Sequence, residues 1–387
     1  MDTVDDLVRD PHRAYRHLRG TSPVHPVAGP DGTTAWLVTR YDDVRQALSD
    51  PRFSLDKRNS TDGYTGFALP PALDANLLTM DPPDHTRVRR LVGRAFTPGR
   101  IQQLRGPIQK KAGQLVDALG EHGHTDLIAS YAAPLSITVI CDLLGVPDEH
   151  RVDFRGWTHA LVAPDPARPA ATRDAVTAML GFFTGLLADK RRRPADDLLS
   201  DLIRVREAGD ALSEDELMSL AFLVLVAGFE NTVHLIGNGM HSLLQHPEEM
   251  ALLREDPTRL PDAVEELARF EGPALLAIRR FTTEDLVLGG VTVPAGQTVL
   301  LSLAAANRDP ERFDHPDRLD LGREPTGHLA LGLGIHYCLG AALARAEAEI
   351  ALGTLLVRLP GLRPADAEPR WRPSMRSRSL TALPVSY

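Results

Sequence analysis

The segment that begins at Ser213, SEDELMSLAFLVLVAGFENTVHLIGNGMHSLLQH, limits the fold more than any other part of the sequence. Ser213 and Glu216 form a capping-box pattern, which predicts the start of a helix. Apolar residues then occur on all sides of that helix rather than on one face, so we expect it to run through the middle of a core. Gly228, Glu230 and Asn231 lie at its centre, where they weaken a helix and belong to no packing pattern.

The rest of the chain predicts a mainly α fold with a small β region. Amphipathic patterns predict further helices at three places: 41–50, 106–123 and 171–193. Strand and turn patterns occur at three others: 34–39, 286–303 and the tail SLTALPVSY. The stretches 59–76 and 163–172 are predicted as irregular, and the second as a mobile lid loop. The sequence contains neither a repeat nor a clear linker, so residues 1–387 are expected to form a single domain.

The acidic composition excludes some classes of protein. A net charge of −9 argues against a nucleic-acid-binding protein, which needs a basic surface. The amino-terminal sequence MDTVDDLVRDP lacks the apolar core of a signal peptide. The longest nearly apolar run, Leu217–Phe229, is too short to span a bilayer. Because two cysteines in so long a chain are typical of a reducing compartment, we expect a soluble cytoplasmic protein with no membrane partner.

A second informative stretch, GLGIHYCLGAALARAEAEI, places Cys338 at the start of a predicted helix. The free amides and the dipole of a helix amino terminus stabilise a thiolate. Gly332 and Gly334 let the backbone bend tightly and approach a flat group. The thiolate is either a ligand, or a nucleophile with His336 as its base. No other cysteine lies at zinc-ligand spacing, and Cys141 lies in an apolar run typical of the core.

The cysteine stretch resembles the haem loop of the cytochrome P450 family, F-x-x-G-x-[HR]-x-C-x-G. In LGLGIHYCLG, the residues Gly334, His336, Cys338 and Gly340 match this pattern, whereas Leu331 replaces the aromatic residue. Other segments resemble the family in the same order and extend over essentially the whole chain: MDPPDHTRVRRLVGRAF with His85 and Arg89, AGFENT with Ala227 and Gly228, EELAR with Glu266 and Arg269, RFTTEDLVLGG with Arg280, and DRL with Arg318 as the expected partner of Glu266 and Arg269. The chain is similar to soluble bacterial members, in particular to actinobacterial macrolide hydroxylases.

The resemblance implies a mainly α P450 fold in which haem b lies between the central I helix and the cysteine loop with its following L helix. Cys338 would ligate the iron as a thiolate, which favours O–O cleavage. Ala227, Gly228 and Gly340 would contact the cofactor. Four basic side chains would neutralise its buried carboxylates: His85, Arg89, Arg280 and His336.

The resemblance also implies a monooxygenase that uses dioxygen to hydroxylate, or otherwise oxidise, a lipophilic secondary metabolite such as a macrolide or polyketide. The substrate pocket would be apolar and would include five residues: Leu223, Ala227, Leu276, Ala277 and Leu380. Electrons would reach this monomeric protein from a ferredoxin and a ferredoxin reductase. The ferredoxin would dock on a basic patch of three residues: Arg90, Arg94 and Arg345.

Two positions depart from the family pattern. We expect Leu331 to tune the redox potential of the haem without preventing its binding. In AGFENT, Asn231 follows the acid Glu230 where the family has threonine, and Thr232 lies about 100° further around the helix. The usual alcohol orders a water for proton delivery. Our hypothesis is that Asn231, a substrate hydroxyl or both organise this path with Glu230 as the acid, and the alternative is a tolerated substitution without a role.

Three other functions stay open. A peroxide-driven haem-thiolate enzyme, which the change at Asn231 makes conceivable, would need no delivery of protons to dioxygen. A non-catalytic haem protein would bind a ligand or a partner without turning it over. A protein without haem would use Cys338 as a nucleophile.

Overall fold

Helices form most of the structure, a computed structural model that describes residues 3–28, 33–61, 63, 70–120, 122–162, 168–207, 212–365 and 370–387. The α-helices of these residues are, in chain order, α1 Thr3–Arg9, α2 Pro11–Thr21, α3 Tyr41–Ser49, α4 Pro71–Asp74, α5 Asp84–Gly93, α6 Pro98–Leu119, α7 Ala133–Leu144, α8 Arg151–Val162, α9 Pro169–Arg192, α10 Leu198–Glu207, α11 Glu214–Gln245, α12 Pro247–Glu255, α13 Leu260–Glu271, α14 Leu303–Ala306 and α15 Ala341–Arg358. The prediction of a mainly α fold is therefore confirmed.

The β-strands are short and lie mainly at the two ends of the chain and between α13 and α14. In chain order they are β1 Val24–Ala28, β2 Thr34–Val38, β3 Phe53–Ser54, β4 His124–Asp126, β5 Arg280–Thr282, β6 Leu286–Leu288, β7 Val291–Val293, β8 Thr298–Leu301, β9 Arg363–Pro364, β10 Arg370–Trp371, β11 Leu380–Ala382 and β12 Pro384–Ser386. The largest sheet has the order β1-β2-β8-β5-β3. Only β2 and β8 run parallel among its described pairs, with Ala35 opposite Thr298.

Helix α11 occupies the centre of the main core, as its sequence predicts. The Ser213 hydroxyl accepts the Glu216 N–H at 3.1 Å, and the Glu216 carboxylate accepts the Ser213 N–H at 2.8 Å, so both halves of the capping box are present. The helix then packs against α4, α7, α13 and α15. It remains helical through Gly228 and Asn231. Contacts on every side explain why apolar residues surround the whole helix.

Helix α11 is also the one helix of the described chain that is long and apolar enough to cross a membrane. Of its most apolar window, 72% is buried inside the fold. The hydropathy of this helix is therefore accounted for by its place in the core.

Element boundaries differ from the sequence predictions at three helices. Helix α4, Pro71–Asp74, lies inside the stretch 59–76 predicted as irregular, and residues 62 and 64–69 of that stretch lie outside the described residues. Helix α6 begins at Pro98 rather than at residue 106, because Thr97 caps it and proline is favoured in the first turn. Helix α9 begins at Pro169, so part of the stretch predicted as irregular is helical. The remainder of that stretch, residues 163–167, lies outside the described residues, and the lid-loop prediction stays a prediction.

Candidate active site

A mostly apolar cavity of about 340 Å³ lies between α11 and the loop that precedes α15. Four of the five predicted pocket residues line it, namely Leu223, Ala227, Leu276 and Ala277. The predicted cofactor-binding residues also line it: His85, Arg89, Gly228, Arg280, His336, Cys338 and Gly340. Residues that are far apart in sequence therefore meet around one space.

The loop before α15 presents the Cys338 thiol to this cavity. Gly332 and Gly334 have φ angles of +74° and +73°, which favour glycine. A Cβ at Gly334 would also lie only 3.1 Å from the Leu48 carbonyl oxygen. The Cys338 N–H donates to the Leu331 carbonyl at 2.9 Å, which closes the loop just before the helix begins. The backbone thus holds the thiol in one position.

Desolvation and the neighbouring groups shift the pKa of Cys338 in opposite directions. Cys338 is exposed at the cavity surface, but the protein packed around it raises the pKa of the thiol by desolvation, whereas the Gly340 N–H, Arg89 and Arg345 favour the thiolate. At Cys141, burial raises the pKa to about 12, in keeping with the predicted core position. Only Cys338 of these two lines the cavity. A bound metal ion deprotonates a coordinating thiol, so Cys338 can serve as a thiolate ligand.

The four basic side chains predicted to bind carboxylates form a cluster on the cavity wall. The rings of His85 and His336 are 4.2 Å apart, and both nitrogens of His85 are buried without a hydrogen-bond partner among the described residues. One terminal nitrogen of Arg280 is likewise buried without a described partner. Burial, with Arg280, His85 and Arg89 nearby, lowers the pKa of His336 to about 3. So many unpaired donors in one place fit a ligand with carboxylate groups.

The three predicted catalytic residues do not lie on the same face of α11. Asn231 and Thr232 line the cavity, where the Asn231 amide donates to the Ala227 carbonyl at 3.3 Å and the Thr232 hydroxyl donates to the Gly228 carbonyl at 2.9 Å. Glu230 is absent from the described lining and is buried, with 8% of its surface exposed. The cavity therefore meets an amide and a hydroxyl, while the acid lies behind them.

Comparisons with known proteins agree with this arrangement. A family model described as Cytochrome P450 matches residues 186–370. The chain is 47% identical over 392 residues to Cytochrome P450 107B1 of Saccharopolyspora erythraea, with 98% of this chain and 96% of the relative covered. It is 42% identical over 402 residues to 6-deoxyerythronolide B hydroxylase of the same organism, with coverages of 100% and 99%. The chain belongs to the cytochrome P450 family. The tirandamycin C-bound P450 monooxygenase TamI has the same fold, with a TM-score of 0.92, 44% identity and 98% of each chain covered.

This P450 is a monooxygenase, like the relatives that are named as monooxygenases or hydroxylases. Its family implies a haem-thiolate cofactor, and the residues of this chain fit such a group. One cavity-facing thiol lies near a cluster of buried cationic and histidine nitrogens that have no described partner. Iron ligation and neutralisation of the haem carboxylates need these two features.

An ion-pair network beneath the cysteine loop differs in one member from the prediction. Arg269 donates two hydrogen bonds to Glu266 at 2.6 and 2.7 Å, and it also contacts the carbonyl oxygens of Asn307 and Pro316. The prediction of Arg318 as the side-chain partner is wrong, because Arg318 contributes only its carbonyl oxygen, at 3.2 Å.

The position predicted for Arg318 is taken by Arg323. Its Nε donates to Glu266 Oε1 at 3.2 Å. Arg323 also binds the carbonyl of Asp314 at 2.8 Å, which ties the segment before the cysteine loop to α13. The ion-pair network therefore depends on the path of the segment before the cysteine loop as well as on α13.

Sequence reasoning missed a second network, which includes Arg345. Arg345 donates to both carboxylate oxygens of Glu265 and to the Tyr337 hydroxyl at 2.9 Å, and His328 contacts Glu265 at 2.9 Å. Burial alone would raise the pKa of Glu265, but Arg345 and His328 lower it to about 2. The expected ferredoxin patch thus contains one arginine, Arg345, that already has an acidic partner.

Leu380 is a correction to the predicted pocket. It lies in β11 opposite Trp371, is 1% exposed and packs in the main core, and it is not among the described residues that line the cavity. Sequence reasoning also missed Phe96 and Glu347, which line the cavity. Phe96 brings an aromatic ring to within 3.9 Å of a Cβ position on Gly340. Both residues lie in segments that resemble the family, but nothing in the spacing of those segments singles out either one.

Proposed function

We propose that this P450 binds haem b through the Cys338 thiolate and hydroxylates a lipophilic secondary metabolite of the macrolide or polyketide type. The observation that carries the proposal is the shared cavity, in which one thiol and four basic side chains meet an apolar pocket. The bound haem would supply the activation of dioxygen. A nucleophilic role for Cys338 accounts for neither the basic cluster nor the apolar space.

The basic side chains have a binding role in this proposal. Arg89 is anchored by a 2.5 Å hydrogen bond to the Tyr337 carbonyl, so one end of its guanidinium stays on the cysteine loop. His85 and Arg280 keep unpaired nitrogens for carboxylate oxygens. His336 lies against the His85 ring and completes the cluster. A charged hydrogen bond to each haem carboxylate would compensate for their burial.

Asn231 and Thr232 order a water on the α11 side of the cavity. The Asn231 amide nitrogen is engaged with Ala227, which leaves its carbonyl oxygen to accept from a water or a substrate hydroxyl. The Thr232 hydroxyl donates to Gly228 and can still accept a hydrogen bond. Glu230 is the acid that resupplies the protons that this water passes to the cavity.

The substrate class follows from the cavity wall and the relatives. Leu223, Val224, Leu276 and Ile278 present aliphatic side chains, which suit a lipophilic substrate. Among the relatives, one is named as a hydroxylase of 6-deoxyerythronolide B and another structure holds tirandamycin C. These names favour an oxygenated natural product of comparable type. Asn231 would recognise one of its polar groups.

The proposal includes the partners and the setting of the enzyme. A ferredoxin and its reductase supply electrons to one monomeric domain, residues 1–387, in the cytoplasm. Arg90 and Arg94 are exposed on α5 and on the turn that follows it, and they come soon after Arg89, which contacts the cysteine loop. These two arginines would attract an acidic ferredoxin.

The carbon monoxide difference spectrum of the reduced protein tests the proposal. The parent is expected to show the long-wavelength Soret band of thiolate-bound haem. Cys338→Ser should lose that band, and the matched control Cys141→Ser should keep it. A colourless parent, or a thiolate band that persists in Cys338→Ser, would contradict the assignment.

A peroxide-driven reaction is a second candidate, because Asn231 stands where the family has a hydroxyl. Product formed with hydrogen peroxide is compared with product formed with NADPH, ferredoxin and reductase, using the same compound. The proposed function predicts faster turnover with the ferredoxin system. Faster turnover with peroxide would favour the second candidate.

A further inference from the structure

The carboxylate of Glu230 is held on the side of α11 away from the cavity lining. His234, one helical turn later, lies with Nε2 2.9 Å from Glu230 Oε2. Arg372 lies with Nη1 3.7 Å from the other carboxylate oxygen. Both oxygens of this acid are therefore close to a basic side chain, although neither side chain lines the cavity among the described residues.

His234 has little reason to be in the core except for this contact. It is 4% exposed, and its second ring nitrogen, Nδ1, is buried without a partner among the described residues. A buried imidazole with an unpaired nitrogen is less favourable than an apolar side chain of similar size. The hydrogen bond to Glu230 is thus the one described polar contact of the His234 side chain.

We propose that His234 is a positioning residue for dioxygen activation: its Nε2–H holds the Glu230 carboxylate behind α11 and so controls when this acid can serve the cavity. This inference rests on the proposed function. His234 does not face the cavity and transfers no oxygen. It acts only through the orientation and charge of Glu230.

The groups around Glu230 support a control of this kind. The titratable and charged groups that act on it come from three elements: His234 on α11, His159 on α8 and Arg372 after β10. Burial would raise the pKa of Glu230, but the His234 hydrogen bond, followed by the charges of His234, Arg372 and His159, lowers it. Glu230 is therefore ionised at rest and must acquire a proton before it can give one.

Proton supply decides how a monooxygenase divides dioxygen between products. Productive turnover uses two electrons and two protons per dioxygen, and places one oxygen atom in the substrate and the other in water. Without substrate, two electrons and two protons give hydrogen peroxide, whereas four of each give two waters. A change in proton delivery therefore changes the share of dioxygen that leaves as peroxide.

The test uses the haem-loaded protein with NADPH, a surrogate ferredoxin and its reductase, without an organic substrate. The share of consumed dioxygen released as peroxide is measured against pH in three variants. His234→Leu removes the donor that keeps Glu230 behind α11, so the freed acid should deliver protons to the cavity more readily. We expect the peroxide share of this variant to fall by about two- to tenfold, with a shifted pH profile. His234→Gln keeps an amide donor and should return towards the parent. His241→Gln is the control, because His241 lies on the same helix but packs on Trp371.

A second readout does not depend on turnover. Because the lowered pKa of Glu230 stabilises the fold above the carboxyl pKa of the unfolded chain, that stability is lost as pH falls. The difference in Tm between parent and His234→Leu should therefore be present at neutral pH and shrink in acid.

Two results would overturn the inference. One is an unchanged peroxide share and pH profile in His234→Leu. The other is a folded His234→Gln that behaves like His234→Leu, because the hydrogen bond would then not be the cause. If the parent itself shows no thiolate-haem spectrum, the proposed function fails, while the Tm comparison still tests the contact between His234 and Glu230.

Discussion

The two walls of the active-site cavity are built in different ways. On the cysteine side, backbone conformation does most of the positioning: Gly332 and Gly334 set the turn, and the Leu331 carbonyl fixes the Cys338 N–H. On the α11 side, the helix is regular, and side chains such as Asn231 decide what the cavity meets. A wall made by backbone tolerates few sequences, whereas a wall made by side chains can change its chemistry by one substitution.

The two walls also differ in how their charges are satisfied. Beneath the cysteine loop, Glu265 and Glu266 each have more than one cationic or histidine partner. Behind α11, Glu230 depends on one hydrogen bond from His234 and on Arg372 at 3.7 Å. The first arrangement favours rigidity, and the second leaves an acid that can move. This difference gives the following predictions, from the largest effect to the smallest.

The largest effect is expected in the network under the cysteine loop. Glu266→Ala leaves the buried Arg269 without its carboxylate and should lower the free energy of unfolding by about 3–5 kcal/mol. Arg323→Ala removes one charged hydrogen bond and should cost about 1.5–3 kcal/mol. Arg318→Ala is the matched control and should change stability by no more than about 0.5 kcal/mol. Denaturant unfolding and haem content measure the series, and equal losses in Arg318→Ala and Arg323→Ala would refute the assignment of Arg323.

Glu347→Gln is expected to have a pH-dependent effect on stability. Burial raises the pKa of Glu347 from 4.5 to about 7, although Ser136 donates a hydrogen bond to it at 2.5 Å. Between these two pH values the unfolded chain loses this proton while the fold retains it, so the parent loses stability as pH rises. The shift corresponds to about 3 kcal/mol at most.

The Glu347→Gln variant cannot ionise at this position and should escape that loss. Its Tm relative to the parent should therefore increase from pH 5 to pH 8. Ser136→Ala is the companion variant, because it leaves the carboxyl in place without its donor. A Tm difference that does not change with pH would show that Glu347 does not titrate in this range.

Features defined by local spacing were predictable from the sequence. The capping box at Ser213, the pairing of Glu266 with Arg269 and the cysteine loop depend on residues within about one turn or one loop. The five-stranded sheet and the position of Leu380 depend on how distant segments pack, which residue patterns do not encode. The exchange of Arg318 for Arg323 has the same cause, since only the path of the loop decides which arginine reaches Glu266.

The contact between Glu230 and His234 lies between these cases. Its i, i+4 spacing was visible in the sequence, and such pairs meet on one helix face. Which face of α11 meets the cavity was not visible, because apolar residues surround the helix. The sequence therefore identified Glu230 as the acid of this segment, but it did not show that the carboxylate lies on the side of α11 away from the cavity.

Substitutions at Asn231 should have a smaller effect than the changes in the ion-pair network. The quantity that changes is the amount of product formed per NADPH. Asn231→Ala removes the group that accepts from a water and should lower product formed per NADPH by about two- to tenfold. Asn231→Thr restores a hydroxyl and should stay near or above the parent. Val224→Ala, on the same helix and cavity wall, controls for altered packing of the substrate. If both Asn231 variants match the parent, the residue is a tolerated substitution without a role in the proton path.

Leu331→Phe should have the smallest effect and compares the two walls most directly. Leu331 lines the cavity, but its contact with Cys338 is made by its carbonyl, which any residue provides. Phe96 already places a ring near Gly340. The variant should therefore bind haem normally and shift its reduction potential by less than about 60 mV, a tenfold change for one electron. Spectroelectrochemical titration measures the shift, with Leu333→Phe on the same loop as control. A larger shift, or loss of haem, would mean that the cysteine wall depends on side chains as much as the α11 wall does.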